Sequence, residues 1–196
     1  HERGKTDDEG EDLFPRSFIM NLPGPSNYAG PVRMFGLGRS DPERAAAGLP
    51  LIREVDDFAD STEPNERKGW MPLRHPNGHL PRVHGEDVLP VSLEAAILSF
   101  VIGCAVRHLR GQGQDHCSML VHVTRYNSVQ VEVCRQVSAY IEDVRQRLRR
   151  AIGLQELEPK LEKLWYEDFA PTKEAINVAS APEEYVDMPD WKAVRS

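Results

Sequence analysis

Proline is distributed unevenly along this chain, and its distribution decides where long helices can form. Most of the 15 prolines stand in the first 90 residues. Because proline fixes φ and removes a backbone donor, no long helix is expected there. Apolar residues such as Phe14 and Phe18 are still too concentrated for pure disorder. We predict that residues 1–90 form an extended, loop-rich arm laid over another surface, with one short helix near 42–47 and a mobile loop over 57–70.

Beyond Pro90 the apolar residues recur with the spacing of an α-helix. The first such segment predicts a helix that is buried nearly all round, with Ser92 as its N-cap. Gly111 is expected to end this helix as its left-handed C′ residue. The same spacing predicts three further helical segments, at 128–152, 156–168 and 172–179.

The run Met119–Val123 is apolar except for one histidine and lacks the polar alternation of a half-exposed strand. Such a run is typical of a strand buried on both faces, which we place at 118–124. The predicted fold is therefore mainly α with a short buried β element. It has a helical core over 91–180, a proline-rich extended N-terminal arm and an acidic tail over 181–196.

Charge and cysteine usage restrict the class of protein. The formal net charge is −7, so no global basic field attracts nucleic acid. The three cysteines form no CxxC motif, which favours a reducing cytoplasm over a secreted, disulfide-built domain. The longest apolar run, Ala95–Val106, is too short for a membrane span, so we expect no membrane partner. The chain does not begin with methionine, and we expect it to be a segment of a larger protein.

His116, Cys117 and His122 suggest either a metal or nucleophile site, or histidines that only pack or hydrogen-bond. Structural zinc takes four ligands, usually from paired local motifs, and no such spacing is present. A nucleophilic cysteine needs a base and an orienting group, and neither is identifiable. The chain also lacks a GxxxxGK[ST] phosphate loop. We therefore predict no catalytic residue, no metal and no cofactor in this chain.

Two groups of arginines are the best candidates for contacts with a phosphate backbone. Arg107 and Arg110 stand near the end of the first predicted helix, and Arg145, Arg149 and Arg150 near the end of the long one. Cations at a helix C-terminus are favourable in themselves, so a solvated helix end is the simpler interpretation. Contact with DNA is the alternative, because positive charge is concentrated locally in an acidic chain.

The block 89–125 carries a distinctive pattern: a Leu-Pro, Ser-Leu opening, a helix that ends in Arg–Leu–Arg–Gly, and a His–Ser–Met–Leu–His run. Its residues are Leu89, Pro90, Ser92, Leu93, Arg107, Leu109, Arg110, Gly111, His116, Ser118, Met119, Leu120 and His122. This pattern resembles a known family, the Z-one domain, an endonuclease-type module of bacterial DEAD-like helicase motors linked to restriction and phage defence. Residues 12–30 and 161–171 also look like segments of that family.

The resemblance implies that the chain lies between the two RecA-like lobes of an ATP-dependent motor. It would then be a non-catalytic coupling and DNA-contacting domain whose parent uses ATP and Mg. Its partners would be the flanking lobes, DNA and, in a restriction complex, a nuclease subunit. Two alternatives are a self-contained metal-assisted nuclease that uses His116, His122 and a carboxylate, and a protein-interaction module.

Overall fold

Helices account for most of the structure. The computed structural model describes residue 49 and residues 51–60, 67–179 and 187–196. All of them belong to a unit that begins at Leu49. The helix predicted near 42–47 and the family-like segment 12–30 lie outside the described residues. Within those residues, the prediction of a mainly helical fold is confirmed.

The first helix, α1, spans Val91–Arg107 and is capped from a distant part of the chain. Its N-cap is Pro90, so the prediction that Ser92 is the N-cap is wrong. Ser92 lies in the first turn instead. Its backbone N–H and its hydroxyl donate to the carboxylate of Asp57, at 2.8 and 2.5 Å. A residue 35 positions upstream thus satisfies a donor at the open helix end.

α1 is apolar along most of its length, but it is less buried than predicted. Ile97, Leu98, Ile102 and Val106 are buried, whereas most of its other residues are half-buried. The run Val91–Gln112 is long and apolar enough to cross a membrane by length and composition, and 22% of its apolar window is buried inside the structure. The apolar run Ala95–Val106, which by itself is too short for a membrane span, is therefore part of a longer apolar helix.

One π-helical turn, His108–Gln112, continues α1, and Gly111 has the predicted left-handed conformation, with φ 77°. The helices that follow are α2 over Asn127–Arg150, α3 over Leu154–Leu164, α4 over Ala170–Ala179 and α5 over Trp191–Arg195. A π-helical turn, Trp165–Phe169, joins α3 to α4. The predicted helical segments are thus present, with shifts at their ends. The segment predicted as an acidic tail contains α5.

Two apolar clusters hold the unit together. The first joins α1, α2 and α3 through buried residues that include Ile102, Val144 and Leu161. Trp165 belongs to it and lies 5.9 Å, between ring centroids, from Trp191 of α5. Burying a large apolar side chain contributes about 1.5–3 kcal/mol, so this cluster is the main reason for the helices to pack.

The second cluster brings the proline-rich loop 67–90 onto α1 and α2. Trp70, Met71 and Leu89 of the loop are buried against Ile97 and against the first turns of α2. The described part of the predicted arm therefore packs on helices of its own chain. It contains no helix among residues 51–60 and 67–90, and its one β feature there is an isolated bridge between Val83 and Glu86.

A buried glutamine fastens this loop to α2. Gln136 is 5% exposed, and its Oε1 accepts a hydrogen bond from Trp70 Nε1 at 2.7 Å. Its Nε2 donates to the carbonyl of Pro81 at 2.8 Å and to Asp87 Oδ1 at 2.5 Å. Arg135 donates to both oxygens of Asp87, at 2.7 Å each, and this raises the pKa of the Arg135 guanidinium. The loop is thereby held at several points along its length.

The prediction of a buried β-strand at 118–124 is wrong. Residues 116–124 form no strand, and Leu120 is 88% exposed. Thr124 is the buried residue of this segment, at 5% exposure. The segment is an extended connection between α1 and α2, and its neighbour is the loop 67–90 rather than a second strand.

Candidate nucleic-acid interface

The arginines predicted at the end of α1 differ in how far they are free to bind an anion. Arg107 is half-buried, and its Nη2 lies 3.8 Å from Asp115 Oδ2. Its Nε is buried and has no hydrogen-bond partner among the described residues. Arg110 is exposed and makes no ion pair with any residue that the structure describes. Arg110 is therefore the more available cation at this helix end.

The arginines at the end of α2 differ in the same way. Arg145 lies 3.5 Å from Glu142, and Arg147 pairs with both Asp143 and Glu156, at 2.7 and 3.1 Å. A hydrogen bond from Gln146, followed by the charge of Arg145, lowers the pKa of Glu142. These pairs neutralise much of the positive charge that the sequence concentrates here.

Arg149 and Arg150 are exposed, and neither has an ion pair within the described part of the chain. Arg149 lies four residues after Arg145, so the two share one face of α2. Arg107 instead ends α1, and Arg110 belongs to the π-helical turn that continues it. The candidate cations thus stand at the ends of two different helices.

The remaining family-like positions lie in the connection after α1. Among these, His116, Ser118 and His122 are exposed, and Met119 is 37% exposed. No group of three His, Cys, Asp or Glu side chains in the described ranges lies close enough to hold a metal ion. His122 instead lines a cavity together with Arg67, Arg74 and Arg125. Cationic neighbours of this kind are unfavourable to a metal ion.

Sequence analysis did not identify this cavity. It lies between the loop 67–76 and residues 122–126, and has a volume of about 710 Å³. Arg125 lies far along the chain from Arg67 and Arg74, so no local pattern indicated that the three would line one cavity. The one local sequence signal for the cavity was the dipeptide Arg125–Tyr126. In the structure the Arg125 guanidinium carbon lies 5.0 Å from the centroid of the Tyr126 ring.

One of the three cysteines, Cys104, lies on α1 close enough to Arg107 for the two to interact electrostatically. Burial, followed by a hydrogen bond with Cys117, raises the pKa of the Cys104 thiol. None of the three cysteines forms a disulfide, and Cys117 and Cys134 are exposed. A raised pKa disfavours the thiolate, so Cys104 has the properties of a packing residue rather than a nucleophile.

Comparison with known proteins identifies the family. Residues 92–196 match the Z1 domain. No curated protein matches the chain, and no solved structure matches it. The match covers α1 through α5 and contains the arginines of both helix ends. Because it spans more than half of the 196 residues, and agrees with the resemblance of the 89–125 block, the chain belongs to the Z1 domain family.

Proposed function

We propose that this chain is a non-catalytic, DNA-contacting coupling domain of a larger ATP-dependent, helicase-like motor of a restriction or defence system. Membership of the Z1 family supports the proposal, and the motor context rests on the resemblance of residues 89–125 described above. The flanking RecA-like lobes supply the site for ATP and Mg. This chain transmits lobe movement to DNA through its basic helix ends.

The observation that carries the proposal is the selective pairing of arginines. Arg135, Arg145 and Arg147 each lie within 4.0 Å of a carboxylate. Arg149 and Arg150, on the same helix, have no such partner among the described residues. Arg149 is still near enough to Glu142 for its charge to lower the pKa of that carboxyl. An exposed arginine that is not in an ion pair can exchange its counterions for a phosphate without breaking one.

The alternative of a self-contained metal nuclease has less support. It requires His116 and His122 to share a cation with a carboxylate. His122 faces arginines instead, and the exposed His116 has no hydrogen bond to another described side chain. The protein-interaction module has no specific observation in its favour beyond exposed apolar residues such as Leu120.

The test is DNA affinity of the full 196-residue chain across a salt series, measured by fluorescence anisotropy. The double variant Arg149→Gln/Arg150→Gln should weaken binding to any sequence. It should also reduce the slope of log affinity against log salt by about 1 for each lost contact. The matched control is Arg195→Gln, which makes the same chemical change at an arginine that is 3.2 Å from Glu158.

Two results would contradict the proposal. The first is an affinity and salt slope in the double variant equal to those of the unaltered chain, with the fold verified by circular dichroism. The second is ATP hydrolysis by the purified chain that a substitution within this chain abolishes, because a coupling domain has no turnover of its own.

A further inference from the structure

The cavity lined by Arg67, Arg125 and His122 has walls that are held in place by hydrogen bonds. His75 bridges the two walls, with Nδ1 2.7 Å from the carbonyl of Pro72 and Nε2 2.7 Å from Thr124 Oγ1. Thr124 Oγ1 also accepts a hydrogen bond from the backbone N–H of Tyr126, at 3.2 Å. These hydrogen bonds fix the positions of the walls, which reduces the entropy lost when a ligand binds.

A further contact closes the same junction from the side of α2. Ser128 Oγ donates to Asn77 Oδ1 at 2.5 Å, and Gln130 Nε2 donates to the carbonyl of Thr124 at 2.7 Å. The first of these bonds joins the loop to the start of α2, and the second joins α2 to the segment that carries Arg125. Arg125 therefore stands in a segment held by hydrogen bonds to its neighbours.

Among the described residues that line the cavity, the charged side chains are of one sign. Three arginines and two histidines line the cavity, and none of its described lining residues is Asp or Glu. This contrasts with the rest of a chain whose net charge is −7. A concave surface lined by one sign of charge concentrates the opposite charge in a ligand.

Arg125 and Arg67 have side-chain N–H groups that are available to a ligand. Arg125 donates from Nη2 to the hydroxyl of Tyr126 at 3.0 Å and lies over its ring, so its position is defined while its other N–H groups remain available. The Arg67 side chain is exposed and has no ion pair with another residue in the described ranges. Both arginines line the same cavity, and each has N–H groups that could bind an anion there.

The start of α2 adds to the positive field. α2 begins at Asn127, immediately after the lining residues Thr124, Arg125 and Tyr126, and its first turn has no acidic residue. The helix has 24 residues, so the positive end of its dipole adjoins the cavity. This field strengthens the preference for an anion that the arginines establish.

We propose that this cavity is a phosphate-binding site that takes the phosphoryl group of a nucleotide, either free or within a nucleic-acid strand, with Arg125 and Arg67 as its ligands. The planar guanidinium fork matches phosphate oxygens in a bidentate arrangement. A volume of about 710 Å³ leaves room for the attached sugar and base, and is within the range of about 300–1,000 Å³ for small-molecule sites. The site is independent of the arginines at the ends of α1 and α2.

The experiment is a nuclear magnetic resonance titration of the full chain, followed through the backbone amides of 122–126 and the Nε–H group of Arg125. Three probes are compared: thymidine 5′-monophosphate, a ten-residue oligothymidylate and inorganic phosphate. Either nucleotide probe should give saturable shifts at these positions. Arg125→Gln and Arg67→Gln should each weaken binding about tenfold, the effect of one charged hydrogen bond. Arg82→Gln is the matched control, because Arg82 is exposed and donates to the Gly85 carbonyl outside the cavity.

The probe that binds more tightly of the two nucleotide forms identifies the source of the phosphoryl group. The absence of saturable shifts with both would overturn the proposal, as would equal affinity for inorganic phosphate and the nucleotides. Unchanged affinity in Arg67→Gln would also overturn it. Because the exposed Arg67 side chain has no hydrogen bond or ion pair with another described residue, a loss of affinity in this variant is not expected to come from misfolding, and circular dichroism checks this. In Arg149→Gln/Arg150→Gln the shifts from thymidine monophosphate should persist, so failure of the helix-end proposal and failure of this one are distinguishable.

Discussion

Replacing Gln136 with leucine is expected to destabilise the unit, because the glutamine satisfies two buried groups at once. Its side chain accepts from Trp70 Nε1 and donates to the carbonyl of Pro81. Trp70 is 3% exposed, so water cannot take over the first of these bonds. Each buried group left without a partner costs about 1–3 kcal/mol. Burial of the leucine methyl groups offsets about 1 kcal/mol of this. The net loss is about 3 kcal/mol.

Urea denaturation monitored by tryptophan fluorescence and by circular dichroism measures this loss. A destabilisation of about 3 kcal/mol should lower Tm by roughly 6–12 °C in a unit of this size. The matched control is Gln146→Leu, the same change on an exposed position of α2, where Gln146 donates to Glu142 at 3.2 Å. The control should stay within about 0.5 kcal/mol of the unaltered chain. Equal effects of the two substitutions would refute the reasoning, because burial would then not decide the cost.

Three further predictions concern single groups. Asp57→Ala should cost about 1 kcal/mol by removing the cap of α1, measured by urea denaturation, whereas Asp56→Ala should cost little. Burial raises the pKa of Tyr140 to about 12. The unfolded chain therefore loses this proton before the folded one, and stability should fall as pH rises from about 10 to 12, an effect absent in Tyr140→Phe. Cys104 should react with iodoacetamide at pH 8 more slowly than the exposed Cys134, as mass spectrometry would detect; equal rates would contradict the raised pKa of its thiol.

The helices could be predicted from the sequence because their signal is local. Apolar residues at helical spacing predicted the positions of α1, α2 and α3, and only their ends were displaced. Gly111 was predicted to be left-handed because a residue without a side chain adopts that conformation without strain. In both cases the physical cause lies within a few residues of the structure it produces.

The buried strand was predicted wrongly because a short apolar run does not specify its neighbour. A strand needs a second strand to pair its backbone groups. No pattern in the sequence indicated whether such a partner strand was present. In the structure Thr124 is hydrogen-bonded to His75, which lies on a proline-rich loop whose described residues form no strand. The run is therefore an extended connection with Leu120 exposed.

The cap of α1 and the charge of the candidate sites were decided by tertiary structure alone. Asp57 is 35 residues from Ser92, and His75 is 49 residues from Thr124, so neither contact has a local signature. The sequence showed which arginines were clustered, but not which of them had a carboxylate within reach. Because electrostatic attraction between exposed charges falls steeply with distance, an arginine 2.7 Å from a carboxylate and one with no ion pair among the described residues differ in electrostatic environment, although they look alike in sequence.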